Sequence, residues 1–171
     1  MSKIALITGA TAGIGEACAR LFAQQNYDLV LIARRAERLQ ALAEKLTTEF
    51  GIRVKTLTID VRKTYLNGNV YCATKYAVDS LNKAMRIDLL QYKIKVTGIH
   101  PGAVETEFSE VRFKGDQERA KKIYEGYEPL HAQDIAETIW FAVSRPPHVN
   151  INDLVVMPTA QANTSHILRE G

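Results

Sequence analysis

The stretch that most constrains what this chain can fold into is "KIALITGATAGIGEACARLF", residues 3 to 22. A short apolar run ends in Thr8-Gly9 and reads as a buried strand. Apolar residues then recur at Ile14, Ala17, Cys18, Leu21 and Phe22, the spacing of one helix face. Between the two lies "TGATAGIG", Thr8 to Gly15. Glycines at such a place let backbone N–H groups approach a pyrophosphate, and the helix that follows points the partial positive charge of its N-terminus at it. A lone glycine pattern is weak evidence, with a plain tight turn as the alternative. A strand before it and a helix after it favour dinucleotide binding. The candidate cofactor contacts are Gly9, Ala10, Thr11, Ala12, Gly13, Ile14 and Gly15.

The same alternation continues. "YDLVLIAR" is a second buried strand, and Leu39, Leu42, Ala43, Leu46 and Phe50 mark a second amphipathic helix, stopped by Gly51. "RVKTLTIDV" is a third strand. The order β-α-β-α-β is that of a parallel sheet with crossover helices, an α/β fold. The end of the second strand discriminates between dinucleotides. An acidic residue there would accept hydrogen bonds from the adenosine 2′-hydroxyl of NAD. This chain has Arg34 and Arg35 instead, with no Asp or Glu before Glu37. Two guanidinium groups suit a 2′-phosphate by charge and by fork geometry, which favours NADP over a merely solvated strand end.

Bulk properties narrow the function classes. A chain of 171 residues, 46% apolar and 24% charged, is an ordinary globular composition and reads as one domain, residues 1–171. A net charge of +3 with no basic run offers no footprint for a nucleic acid. The first apolar run is too short for a signal-peptide core or a membrane span, so the expectation is a cytoplasmic protein without a membrane partner. Cys18 and Cys72 form neither a zinc spacing nor a disulfide framework and read as small buried hydrophobes; no metal site is expected.

After Val61 the pattern breaks. Residues 62 to 70 read as neither helix nor strand, and a helix is expected from about Tyr71 to Tyr92. The strand "KVTGIHPG", a polar stretch, a helix striped by Ile135, Ile139, Trp140 and Val143, and the strand "DLVVMP" follow. Tyr71 and Lys75 are four apart, so both project from the same helix face. A free tyrosine hydroxyl has a pKa of about 10, and a nearby ammonium favours the phenolate. The pair can act as general acid or base toward an alcohol or a carbonyl. Taken alone, this spacing is common, and a snorkelling lysine beside a half-buried tyrosine is its plain reading.

Taken together, "TGATAGIG", "ARR", "IDV", "YCATK" and "HPGAVETEF" stand in an order that resembles the short-chain dehydrogenase/reductase family over nearly the whole chain. The resemblance implies a Rossmann-type doubly wound parallel sheet and NADP as cofactor. It implies that Tyr71 is the catalytic acid/base and that Lys75 lowers its pKa and holds the nicotinamide ribose. It places Asp60 and Val61 against the adenine, and Pro101, Gly102, Val104 and Thr106 along the nicotinamide side. Within the family, "FSEVRFKGD" followed by "HVNINDLVVMP" looks most like the NADP-dependent 3-hydroxy acid dehydrogenases, which act on serine, allo-threonine and 3-hydroxypropionate. Arg112 is then a candidate partner for a substrate carboxylate, against the plain reading of a solvated arginine.

The chain also departs from that family. Members carry two further strands with their helices between the "DV" and the tyrosine, and this chain has nine residues there, with the join near 62–66. At thirty-odd residues per βαβ step, roughly sixty to eighty residues are absent. No "NNAG" occurs, and where a substrate-holding serine is expected only Thr58 is found. An omitted stretch of sequence, a deletion in gene or transcript, and a natural minimal form would each account for the join. The family's sheet order is 3-2-1-4-5-6-7, so the central strands 4 and 5 would be lacking. Strand 1 and the "KVTGIHPG" strand would become unpaired edges unless they pair directly, which a nine-residue link of roughly 30 Å permits. Homo-oligomers are usual in the family through the tyrosine helix and the helix before it, and the latter is absent here. Two functions follow: an NADP-dependent oxidoreductase acting on a small hydroxy acid or its carbonyl, or a catalytically impaired dinucleotide-binding remnant that pairs with full-length relatives.

Overall fold

The computed structural model describes residues 3–58, 67–107, 122–163 and 165–170, with side chains from residue 74 onward in the second of these stretches. Its first half is the expected βαβαβ unit: β1 (Ile4–Thr8), α1 (Gly13–Gln24), β2 (Asp28–Ala33), α2 (Ala36–Phe50) and β3 (Val54–Thr58). The three strands form one parallel sheet in the order β1-β2-β3, with Leu6 opposite Val30 and Ile32 opposite Leu57. Alternation along β2 buries Leu29, Leu31 and Ala33 on one face. Ala19, Phe22 and Ala23 of α1 and Leu39, Leu42 and Leu46 of α2 pack there into a single cluster. The apolar face of α1 lies one residue on from the expected stripe: Cys18, Ala19, Phe22 and Ala23 are buried, while Ile14, Ala17 and Leu21 border it.

The other face of this sheet is open. Ile4 and Leu6 are 65% and 63% exposed and Leu57 is 38% exposed, so the expectation that "KIALIT" is a buried strand fails on this side. The cause is what surrounds β1 rather than β1 itself. Among the described residues its outer edge pairs with no strand, and no helix covers the face of Ile4 and Leu6.

The second half comprises α3 (Asn67–Asp88), β4 (Gly98–Pro101), β5 (Val104–Glu105), β6 (Leu130–His131), α4 (Ala132–Val143) and β7 (Asp153–Val156). β4 pairs in parallel with β7, and β5 with β6. The strand expected over "KVTGIHPG" is confined to Gly98–Pro101, because Val96 upstream is held by the Asn150 side chain instead of a neighbouring strand. α3 begins at Asn67, earlier than expected; Asn and Gly have low intrinsic helix propensity, but propensity is a weak prior. It ends at Asp88, and a 3₁₀ turn at Leu90–Tyr92 closes on Lys93 in left-handed backbone.

The halves meet through α1 and α4. Phe22, Tyr27 and Trp140 stack edge to face with ring centroids 5.2, 5.4 and 5.8 Å apart. Such pairs are worth about 0.5–1.5 kcal/mol each beyond their burial. β1 and β4 do not pair among the described residues, so the direct closure of the sheet that the short link permits is not taken.

Candidate cofactor and active site

The turn from β1 into α1 has the shape its glycines require. Gly9 and Gly13 have φ of +68° and +53°, a region that costs an L side chain strain. At Gly15 a Cβ would lie 2.7 Å from the Gly9 carbonyl carbon and 3.0 Å from the Thr8 carbonyl oxygen, so the helix starts directly against the turn. Ala10 is fully buried, and its N–H donates to the Ile32 carbonyl at 3.3 Å, which fixes the turn to the end of β2. Ala12 stands at the helix entrance in extended backbone, and no side chain caps the helix there. The first N–H groups of α1, with Thr11, Ala12 and Ile14 half-buried around them, are thus available to an anion.

Arg35, just after β2, and Arg38, in the first turn of α2, hold an anion already. Arg35 Nη2 donates to Glu107 Oε2 at 2.9 Å, and Arg38 Nη1 donates to Glu107 Oε1 at 2.9 Å. The Arg35 hydrogen bond, reinforced by Arg38 and opposed by partial burial, holds the Glu107 carboxyl below its ordinary range. Arg34, exposed, takes no part in this contact. Sequence reading singled out Arg34 and Arg35; Arg38, one turn into α2, was missed because a single arginine on an exposed helix face carries no signal of its own. A glycine turn shaped for a pyrophosphate, beside two guanidiniums that clasp a carboxylate, fits the diphosphate and 2′-phosphate of NADP.

The loop after β4 reaches the same place. Gly102 N–H donates to the Val156 carbonyl at 2.8 Å, and Ala103 N–H to Gln161 Oε1 at 2.8 Å. Leu130 N–H donates to the Ala103 carbonyl at 2.9 Å and the Tyr124 hydroxyl to the Val104 carbonyl at 2.9 Å. Gln161, 9% exposed, is a buried polar brace that nothing in the sequence marked. Beyond Pro101 and Val104 the loop carries Thr106 to the glycine turn, where a Cβ on Gly13 would lie 3.1 Å from Thr106 Cγ2.

Tyr71 and Lys75 lie one turn apart on α3, and Lys75 is exposed. The side chain of Tyr71 lies outside the described residues, as do Asp60, Val61 and Arg112. The far end of α3 is tied down by Arg86, about 22 Å along the helix axis from Tyr71. Arg86 donates to Asp153 at 2.8 and 2.9 Å, to Asn82 at 2.6 Å and to the carbonyls of Val96 and Asn152. Arg86, and then His100 at 3.2 Å, hold the Asp153 carboxyl down at about 2. Asp79, His100 and Asp153 bring ligand atoms within 4.8 Å of one another, but Lys83 and Arg86 engage both carboxylates, which makes the group an ion-pair knot.

The family model described as "short chain dehydrogenase" matches this chain over residues 3–65 and 62–117, in two pieces that overlap at the join. Serine 3-dehydrogenase of Agrobacterium fabrum is 30% identical, covering 95% of this chain and 96% of its own. That comparison runs over 239 positions, more than the 171 residues present here, so the relative carries residues with no counterpart in this chain. The NADP-dependent 3-hydroxy acid dehydrogenase of Schizosaccharomyces pombe is 42% identical over 109 residues, 64% of this chain and 42% of its own. Among solved structures, a closed form of serine dehydrogenase complexed with NADP+ superimposes with a TM-score of 0.84 at 28% identity, covering 98% of this chain and 100% of the other.

Proposed function

The chain belongs to the short-chain dehydrogenase/reductase family, and on that premise we propose that it is an NADP-dependent oxidoreductase whose substrates are small 3-hydroxy acids and their carbonyl counterparts. The observation that carries the cofactor half of this reading is the anion held between Arg35 and Arg38 beside the glycine turn. Relatives named as serine 3-dehydrogenase and 3-hydroxy acid dehydrogenase support the substrate class. NADP, when bound, supplies the hydride acceptor or donor. The N–H groups at the start of α1 hold its diphosphate, and the arginines select its 2′-phosphate. Tyr71 Oη takes or returns the hydroxyl proton, and the Lys75 ammonium one turn away favours the phenolate. Asp60 and Val61 at the adenine, and Arg112 at a substrate carboxylate, belong to the same reading, as do a single domain and a cytoplasmic setting.

A second reading has its own support. The sheet is interrupted between β1 and β4 among the described residues, and the Agrobacterium relative has residues that this chain lacks. On this reading the chain is a shortened family member that keeps the cofactor half and has lost the cofactor floor and the substrate-holding serine. Losing positioning groups of that kind costs orders of magnitude in turnover.

Assaying purified chain for NADP-dependent oxidation of L-serine and 3-hydroxypropionate separates the two. The shortened form should turn over slowly. Tyr71→Phe should abolish what remains while leaving NADPH affinity nearly unchanged, and Lys75→Ala should harm both. Ordinary turnover with a cooperative melt would sink the second reading. A Tyr71→Phe chain that keeps most of its kcat would remove Tyr71 from the acid/base role.

A further inference from the structure

Glu107 meets Arg35 and Arg38 across 72 and 69 residues of sequence, each guanidinium taking a different carboxylate oxygen at 2.9 Å. Two donors converging on two oxygens of one anion is also how a phosphate is held. The residue before it, Thr106, packs against Gly13. Thr106 and Glu107 together therefore run from the glycine turn to the arginines, the line along which a dinucleotide would lay its diphosphate and adenosine ribose. The three charged side chains are 45%, 55% and 44% exposed for Arg35, Arg38 and Glu107. Water and solutes reach all of them, so the contact can exchange.

Resting on the NADP reading above, we infer that Glu107 is an internal occupant of a 2′-phosphate clamp made by Arg35 and Arg38, and that it sets the affinity for NADP(H). A phosphate monoester brings about −1.5 to −2 charge against the single charge of the carboxylate, so it displaces Glu107 from both guanidiniums. A dinucleotide with only hydroxyls on that ribose has no such leverage and gains nothing from the clamp.

The test is a set of fluorescence titrations with NADPH and NADH on the unmodified chain, Glu107→Gln, Glu107→Lys, Arg38→Ala and the Arg38→Ala/Glu107→Gln double variant, each checked for an unchanged melt. An exposed ion pair is worth about 0.2–1 kcal/mol, so removing two such competitors should tighten NADPH by about two- to thirtyfold. Glu107→Gln should leave NADH within about twofold by the same measure. Glu107→Lys should tighten NADPH further, and the gain from Glu107→Gln should shrink once Arg38 is gone. An NADPH constant that Glu107→Gln and Glu107→Lys both leave unchanged, in a chain that still prefers NADPH, would overturn the clamp inference alone. Equal tightening of NADH would also overturn it, since Glu107 would then be blocking the adenosine site as a whole. Equal binding of the two cofactors by the unmodified chain, or of neither, would bring down the NADP reading and this inference with it.

Discussion

Gly15 leaves no room for a β-carbon, because the Gly9 carbonyl lies where one would project. The obstacle is backbone, which no rotamer change can relieve. Gly15→Ala should therefore cost about 1–3 kcal/mol, the usual penalty for overpacking a tight site. It should also push α1 off the turn and weaken NADPH binding at least tenfold, read by a thermal melt and a cofactor titration. An unchanged melt and an unchanged dissociation constant would show that the turn is not packed as described. The demand for glycine here is local, and so its spacing betrays it. Cys18 was equally legible: 6% exposed, with burial pushing its thiol up to about 11, it is the inert hydrophobe its helix position implied. Arg38 and Glu107 were not legible, since their meaning arises only where residues some 70 apart meet.

At the scale of elements, periodicity revealed those with a long apolar stripe and missed those without one. α1, α2 and α4 each bury a face over the expected stretch of chain, though the buried face of α1 is shifted by one residue and Val143 of the expected α4 stripe is 45% exposed. β5 and β6 are two residues each, too short for any alternation to show. α3 is a different case: Tyr76, Val78, Leu81 and Ile87 are all more than half exposed, so packing does little to hold it. Arg86 and Asp153 take that role. The Asp153 carboxyl titrates at about 2 in the fold against an ordinary 3.8, so its contribution is fully present above pH 4 and is lost as pH falls through 2. Between those limits the amides of α3 should lose protection from hydrogen exchange before those of α1 and α2. Asp153→Asn should remove that pH dependence and leave α3 less protected throughout. Loss of protection in α3 and α1 together, with or without Asp153, would mean that this tie does not hold the helix.

At the scale of the molecule, two regions of different completeness share one chain. The βαβαβ unit has a closed core on one face, and the aromatic trio around Phe22 joins it to α4. The opposite face and the outer edge of β1 stand open among the described residues, the kind of surface that folded proteins ordinarily cover. "KIALIT" reads as buried because its apolar run is continuous, yet what covers a strand is decided by segments elsewhere in the chain. The glycine turn and the arginines lie on the complete region, and the loop that carries Thr106 and Glu107 reaches them from the interrupted one. Selection of NADP by this site is read from the ratio of the NADH and NADPH dissociation constants on purified chain of verified mass, 19.1 kDa. Charge-assisted hydrogen bonds to a phosphate are worth about 1.5–3 kcal/mol each, so the ratio should exceed about ten and collapse toward one in Arg35→Ala/Arg38→Ala. Equal constants in the unmodified chain would mean that the arginines do not select the 2′-phosphate.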